Sequence, residues 1–295
     1  QILFYAIFAL GLNILSGYGG LVSLGHAALF GIAAYGTAYT LGVGFGHPAA
    51  IFIALVVTMA ATALYAVLSL RLAGIGYIMI TLAIGEIVWG LAYRLVAITN
   101  GDNGINVHSR PEPFGISLTT PSAFYYTTLI IFLLSLLLTA IFVHSPLGTA
   151  LMGTRDQPRR MNALGYHVWA IRFWASMFSG LLAAVAGILF VYYNQFISPQ
   201  TVALTASAEV VLMVIAGGSS TLLGPIVGAA LVVIVKNVVS AYITRWNLLL
   251  GAIFVVIVIF MPEGIVPGSR RLARAAWQRL GRSRKPKPES TGAEP

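Results

Sequence analysis

The sequence of 295 residues is 58% hydrophobic and 8% charged, whereas an ordinary soluble domain is about 25% charged. This composition excludes a soluble globular protein and predicts an all-α, polytopic transmembrane helical bundle. The absence of cysteine excludes disulfides and thiolate metal sites, and the five histidines lack metal-ligand spacing, so no metal site is predicted.

Nine hydrophobic segments follow one another along the chain, most of them close to the roughly 20 residues that cross a bilayer. They are 1–16, 25–42, 49–70, 75–98, 123–143, 173–192, 201–216, 225–243 and 247–261. Several are short, so we expect some to be broken or re-entrant. We assign residues 1–268 to a transmembrane domain and residues 269–295 to a basic, disordered cytoplasmic tail.

The formal net charge of +9 is concentrated after the last hydrophobic segment. Eight basic residues lie between Arg270 and Lys287, and the only acidic residues after them are Glu289 and Glu294. A basic run directly after a spanning helix indicates a cytoplasmic anchor on anionic membrane lipid, and no nucleic acid is predicted as a partner. The chain begins with Gln1 and no charged segment, so we expect its start to be incomplete, and no signal peptide is visible.

The positive-inside rule then orients the segments. With the C-terminal tail in the cytoplasm, residues 193–200 and 99–122 lie outside, and residues 144–172 and the turn at Arg71 lie inside. The inside loop holds four arginines against one acidic residue, which agrees with this topology. Lys236 and Arg245 would lie near the outer face and fit the rule less well.

Residues 146–165 interrupt the hydrophobic pattern with a charge cluster, "TRDQPRR". Pro158 suits the first position of a helix, and Gly165 can end the short run that follows it. These signals predict a small ordered helix outside the membrane that presents its charges to a partner. The alternative is an ordinary positive loop that only sets orientation.

The stretch from Gly148 to Gly165 resembles the cytoplasmic coupling loop of ABC importer permeases of the branched-chain amino acid type. Further similarity lies in "SGYGGLVSLGHAALFGIAAYGTA" (16–38), "TNGDNGI" (99–105) and "GPIVGAALV" (224–232), within a resemblance that covers most of residues 11–268. The long polar loop 99–122 is similar to that of the larger of two paired permeases, the LivM type. The residues that the resemblance implies for ATPase coupling are Gly148, Arg155, Asp156, Gln157, Arg159, Arg160, Ala163 and Gly165.

The resemblance implies a multi-pass permease of the bacterial inner (cytoplasmic) membrane, with a cytoplasmic C-terminus, for leucine, isoleucine and valine. It also implies three kinds of partner: a second homologous permease of the LivH type, two P-loop ATPase subunits and a soluble extracytoplasmic substrate-binding protein. Pro158, Met161 and "GGSSTLLGP" depart from the family's usual pattern, and a permease for urea or short amides is the alternative.

No energy source is recognisable in this sequence. A P-loop needs a lysine directly after a glycine, and none of the three lysines has one before it. We therefore expect a transport subunit and not an enzyme, with no cofactor bound by this chain and with ATP and Mg on the partner ATPases.

Two glycine-rich breaks, "GGLVSLG" (19–25) and "GGSSTLLG" (217–224), occupy corresponding places in the two halves and indicate a possible internal repeat. Ser23 and Thr221 can each cap the helix that follows. Such breaks can offer backbone donors and helix N-termini to an anionic substrate group, or they can be cytoplasmic turns with tight helix packing. The translocation-path candidates in these breaks are Gly19, Gly20, Ser23, Gly217, Gly218 and Thr221.

Glu86, Glu209 and His26 are titratable residues within hydrophobic segments. A carboxylate there costs about 2.5–3.5 kcal/mol on insertion scales, and helical spacing predicts that both glutamates face the bundle interior. Their role can be a structural hydrogen bond, a substrate contact or a proton relay. A relay would instead indicate a stand-alone ion-coupled secondary transporter. A lone membrane histidine such as His26 is otherwise a packed, hydrogen-bonded residue.

Overall fold

The computed structural model describes residues 1–107, 120–239, 246–261, 264–269 and 271. The helices are α1 (Ile2–Asn13), α2 (His26–Gly42), α3 (His47–Ser69), α4 (Ile75–Arg94), α5 (Val96–Thr99), α6 (Pro121–His144), α7 (Pro146–Asp156), α8 (Pro158–Ala163), α9 (Val168–Asn194), α10 (Leu204–Gly217), α11 (Gly224–Val239) and α12 (Trp246–Phe260). A π-helical turn, Ile14–Tyr18, extends α1. Strand β1 (Ile105–Asn106) pairs antiparallel with β2 (Phe196–Ile197), and a 3₁₀ turn, Pro199–Val202, follows β2. Residues 108–119 of the polar loop, and all of the predicted tail 269–295 except residues 269 and 271, lie outside the described residues.

The predicted polytopic helical bundle is confirmed. Each of the nine hydrophobic segments corresponds to one main apolar helix, and within the described part of the chain α3, α4, α6 and α9 are long and apolar enough to cross a membrane. Helix α10 has 14 residues, a length of about 21 Å, which is short of the roughly 30 Å of a hydrocarbon core.

Among the described residues, two predicted segment ends differ from the helix ends by four residues or more. Helix α4 ends at Arg94 instead of residue 98, because Leu95 leaves the helical backbone with ψ of 61°. Helix α9 begins at Val168, five residues earlier than predicted, because the His167 side chain accepts a hydrogen bond from the Ala170 amide and starts the helix there.

Helix α1 is the centre of the bundle. Its sequence is apolar on every side, as expected for a helix that is enclosed by others, and every residue from Phe8 to Asn13 is buried. It packs against α6, α9, α10 and α11. Helices α3, α4 and α6 bury less than a third of the residues in their most apolar 18-residue stretch, whereas α9 buries 67% of its own. The outer helices therefore present apolar surface to lipid or to other subunits.

The bundle has two ends that later sections refer to. The "helix-pair end" contains α7, α8 and both glycine-rich breaks, since the side chain of Arg155 reaches Gly17 and Ser220 there. The "β end" contains β1, β2 and the start of α1, where the Asn237 amide of α11 donates to the Gln1 side chain at 2.8 Å. The chain thus runs back and forth between two ends, as a polytopic topology requires.

Candidate functional site

Residues 146–165 form two helices. Helix α8 begins at Pro158 as predicted, and Gly165 follows its end with φ of +87°. Helix α7 was missed by the sequence analysis, although Ser145 and Pro146 are a cap and a first-turn proline. The Ser145 hydroxyl accepts a hydrogen bond from the Gly148 amide at 3.2 Å.

The predicted coupling residues divide into an inner and an outer group. Gly148 is buried against the end of α6, and a Cβ there would lie 2.5 Å from the Val143 carbonyl oxygen. Its role is close packing between α6 and α7. The outer group is exposed on α8 and its two ends. It consists of Gln157, Arg159, Arg160, Ala163 and Gly165.

Arg155 points into the protein, where it contacts both glycine-rich breaks. Its Nη1 donates to the carbonyl oxygen of Gly17 at 2.6 Å and to Ser220 Oγ at 2.7 Å. Its Nε also donates to the exposed Asp156 at 3.2 Å. Arg155 is therefore hydrogen-bonded to the bundle although its side chain is 41% exposed, and its role in ATPase coupling stays a prediction. Helix spacing shows which side chains share a face, but not which groups of other helices lie beside them.

Asn13 extends these contacts into the core. Its amide oxygen accepts from the Ser220 backbone amide at 3.1 Å, and its amide nitrogen donates to the Thr221 carbonyl oxygen at 2.9 Å. Ser220 Oγ also donates to the Gly17 carbonyl oxygen at 2.6 Å. We call Asn13, Gly17, Arg155 and Ser220 the "Arg155 network". The sequence analysis missed Asn13, whose signal was a single amide in an otherwise apolar helix.

Both breaks have backbone that suits glycine. Gly20 has φ of +67° and its added Cβ would lie 2.6 Å from Arg155 Cγ, and Gly218 has φ of +116°. Gly19 and Gly217 are buried, Gly19 beside Leu151 of α7 and Gly217 beside the start of α11. The two breaks therefore meet at the helix-pair end, an arrangement that favours the interpretation as tightly packed turns.

The two predicted caps have different outcomes. Thr221 Oγ1 accepts from the Gly224 amide at 3.0 Å, at the start of α11, so this cap is confirmed. Ser23 does not cap α2: its hydroxyl is hydrogen-bonded to the Tyr65 hydroxyl, and Gly25 occupies the N-cap position. Tyr65 on α3 lies 42 positions away, and sequence spacing could not identify it as the closer partner.

A cavity of about 340 Å³ lies between α1, α2, α9, α10 and α11, nearer the β end. Its polar lining consists of Ser198, Gln200, Thr201, Thr205, Glu209 and Lys236. Its aromatic lining consists of Tyr5, Phe8, Phe30 and Phe190. Glu209 is the one predicted path residue among these lining residues.

Glu209 is paired with Lys236. Lys236 Nζ lies 2.9 Å and 3.2 Å from the two carboxylate oxygens of Glu209. The Lys236 side chain is 37% exposed and that of Glu209 is 17% exposed. The pair explains how a lysine and a glutamate are accommodated in apolar helices, because charges within membrane segments are stabilised by pairing with one another. It also explains why Lys236 fitted the positive-inside rule poorly.

His26 is packed in the core but has no hydrogen bond. It is fully buried at the start of α2 and stacks on Phe8, with ring centroids 5.2 Å apart and planes 8° apart. Neither ring nitrogen has a hydrogen-bond partner among the described residues. The expectation of a packed residue is confirmed, and the expectation of a hydrogen-bonded one is wrong. Through Phe8, the imidazole lies behind the wall of the cavity.

Glu86 lies on the exposed face of α4, between Met79 and Tyr93, which are 68% and 47% exposed. The prediction that this face points into the bundle is wrong, because α4 packs through its opposite side, where Tyr77 and Thr81 are buried. A carboxylate at membrane depth is stabilised by water or by polar protein groups. This face of α4 therefore needs such a covering in the assembled protein.

Comparison with known proteins defines the family. The family model described as "Branched-chain amino acid transport system / permease component" matches residues 1–259. The chain belongs to this permease family. It is accordingly a multi-pass membrane protein, in agreement with the helical bundle.

Three kinds of relative illustrate the range of the family. The high-affinity branched-chain amino acid transport system permease protein LivM, from Salmonella typhimurium and from Escherichia coli, is 30% identical in an alignment 292 residues long that covers 90% of this chain and 68% of LivM. The corresponding LivH protein of Escherichia coli is 25% identical over 175 residues, 59% of this chain and 56% of LivH. The autoinducer 2 import system permease protein LsrC of Yersinia pseudotuberculosis is 30% identical over 226 residues, 74% of this chain and 61% of LsrC. No solved structure matches the chain significantly.

Proposed function

We propose that this permease is the LivM-type subunit of an ATP-driven importer of leucine, isoleucine and valine. The match to LivM, over 90% of this chain, supports the substrate class. The weaker match to LivH supports a second, homologous permease beside it. The chain would lie in the bacterial inner membrane with its C-terminus in the cytoplasm, and it would receive substrate from a soluble extracytoplasmic binding protein.

The coupling role is supported by one observation: residues 146–165 expose some of their arginines and bond another to the bundle. Arg159 and Arg160 are exposed on α8, where they can contact the ATPases. Arg155, at the end of α7, donates hydrogen bonds to Gly17, at the end of the α1 π turn, and to Ser220 in the second break, and its stem packs against Gly20 of the first break. A movement of α7 and α8 imposed by an ATPase would therefore pull on α1 and α10 at the helix-pair end. ATP and Mg would be held by the two ATPases, and this chain would bind no cofactor.

The ion-coupled alternative has less support. Proton relays consist of chains of titratable groups. Neither ring nitrogen of His26 is hydrogen-bonded to a described residue, and Glu86 lies on the exposed face of α4. Glu209 is paired with Lys236, and no hydrogen bond among the described residues joins these three groups into a path.

The deciding experiment is uptake into proteoliposomes that contain this chain, the second permease and the ATPases, with the binding protein added on the substrate side. Leucine uptake that requires ATP and every subunit is the expected result, with urea and a short amide failing to compete. Uptake by this chain alone, driven by an ion gradient, would overturn the proposal. Competition by urea would assign the permease to the urea and amide class instead.

A further inference from the structure

The cavity beside Glu209 is lined by two chemically different sets of side chains. Hydroxyl and amide side chains of Gln200, Thr201 and Thr205 come, with the ion pair, from the 3₁₀ turn, α10 and α11. The rings of Phe8, Phe30 and Phe190 come from α1, α2 and α9, with Phe8 and Phe30 centroids 4.6 Å apart and Phe30 and Phe190 centroids 5.2 Å apart. A ligand that fits both sets has a polar or charged head and an apolar body, since ligand sites combine apolar walls with a few placed polar groups.

The ion pair places one negative and one positive charge in the lining of this cavity. Lys236 comes from α11 and Glu209 from α10, and both side chains line the cavity and keep part of their surface exposed. A pair with a structural role alone has no need of that access. In this structure the two groups neutralise one another, which is the arrangement expected for charges in a membrane segment.

We propose that this cavity binds a zwitterionic α-amino acid with an apolar side chain, whose ammonium group pairs with Glu209 and whose carboxylate pairs with Lys236. The apolar side chain then lies against the Phe8, Phe30 and Phe190 rings. The inference rests on the proposed function and adds to it a site and a recognition chemistry.

The charge balance distinguishes this ligand from others. A zwitterion supplies a cation to Glu209 and an anion to Lys236, so two ion pairs replace one. A neutral ligand such as urea separates the pair without replacing either charge, and unpaired charges in a poorly solvated site are strongly unfavourable. An amine without a carboxylate, or an acid without an ammonium group, leaves one of the two residues unpaired. Selectivity for the zwitterion is therefore built into this pair.

The test measures binding without the binding protein, which has a selectivity of its own. The complex of this chain with the second permease and the ATPases is purified, and saturation-transfer NMR, which detects weak ligands, is recorded with leucine, 4-methylpentanoate, 3-methylbutylamine and urea. The wild-type complex is expected to bind leucine at least tenfold more tightly than any of the others. Absence of leucine binding to the wild-type complex would overturn the proposal.

Two substitutions test the contributions of the two charges one at a time. Glu209→Gln is expected to remove the preference for leucine over 4-methylpentanoate, because the ammonium group loses its partner. Lys236→Gln is expected to remove the preference for leucine over 3-methylbutylamine, because the carboxylate loses its partner. Glu86→Gln is the matched control, the same substitution on the exposed face of α4, and should keep wild-type selectivity. Wild-type selectivity in both cavity variants would overturn the proposal.

A third variant covers the case in which loss of one charge prevents assembly. Thr205 is exposed and lines the cavity one turn before Glu209, so Thr205→Trp fills the cavity while it keeps the ion pair. Loss of leucine binding with normal assembly is expected, and wild-type affinity would overturn the site. The uptake experiment remains separate: leucine uptake by the wild-type importer with unchanged selectivity in the variants would leave the function standing and this site refuted.

Discussion

Replacement of Arg155 by methionine tests whether the Arg155 network transmits force. Methionine keeps an unbranched apolar stem that can cover Gly20, beside which Arg155 Cγ lies. It removes the guanidinium group that joins α7 to Gly17 and Ser220. The variant therefore cuts the hydrogen bonds and retains most of the packing.

The size of the effect follows from the two bonds that are lost. A hydrogen bond to a charged group contributes about 1.5–3 kcal/mol, and the lower value applies because the Arg155 side chain is 41% exposed. The Gly17 carbonyl group remains bonded to Ser220 Oγ, so no buried acceptor is left without a donor. The connection between α7 and the breaks loses about 3 kcal/mol in total, roughly a hundredfold in an equilibrium constant.

The assay compares ATP hydrolysis with leucine uptake in proteoliposomes. Arg155→Met should retain the ATPases through purification and should hydrolyse ATP, but its leucine uptake per ATP should fall at least tenfold. The control is the double variant Arg159→Met and Arg160→Met on the exposed side of α8, which should instead retain less ATPase. An unchanged ratio of uptake to hydrolysis in Arg155→Met would refute the reasoning.

Three other substitutions test single contacts. Ser145→Ala removes the cap of α7 and should lower the free energy of unfolding by about 1 kcal/mol, measured as a lower thermal midpoint of the purified complex; no change would mean that the cap contributes nothing. Gly148→Ala should disrupt the joint of α6 and α7, because its Cβ would lie 2.5 Å from a carbonyl oxygen, and reduced recovery of assembled complex checks this. His26→Phe should cost less than about 1.5 kcal/mol, as shape-conserving core substitutions do, and should keep uptake. Loss of uptake in a well-assembled His26→Phe complex would assign a function to the imidazole nitrogens.

The sequence predicted local features well. The hydrophobic segments, the helix that begins at Pro158 and the capping role of Thr221 all depend on patterns within a few neighbouring residues, and the structure agrees with each. The one helix missed in the coupling region, α7, has an equally local signal in Ser145 and Pro146. The sequence analysis missed α7 because the charge cluster at its end indicated only the helix that follows, α8.

The directions of individual side chains were predicted poorly. Helical spacing placed Glu86 and Glu209 on equivalent polar faces, yet Glu209 lines a cavity and Glu86 is exposed. The 3.6-residue period gives the relative angles of side chains on one helix, but which of those angles is interior depends on where neighbouring helices pack.

The sequence by itself determined the class of the protein, its hydrophobic segments, its family resemblance and its lack of a recognisable P-loop. These properties are local or compositional, so they can be recognised without knowledge of the fold. The tertiary structure alone decided that Arg155 turns inward to a carbonyl group 138 positions away and that Glu209 pairs with Lys236, 27 positions away. It also decided that the two breaks meet at one end. The physical reason is that a charged group in an apolar bundle is stabilised by whichever opposite charge or free backbone group packing brings to it, and only the packed helices define that partner.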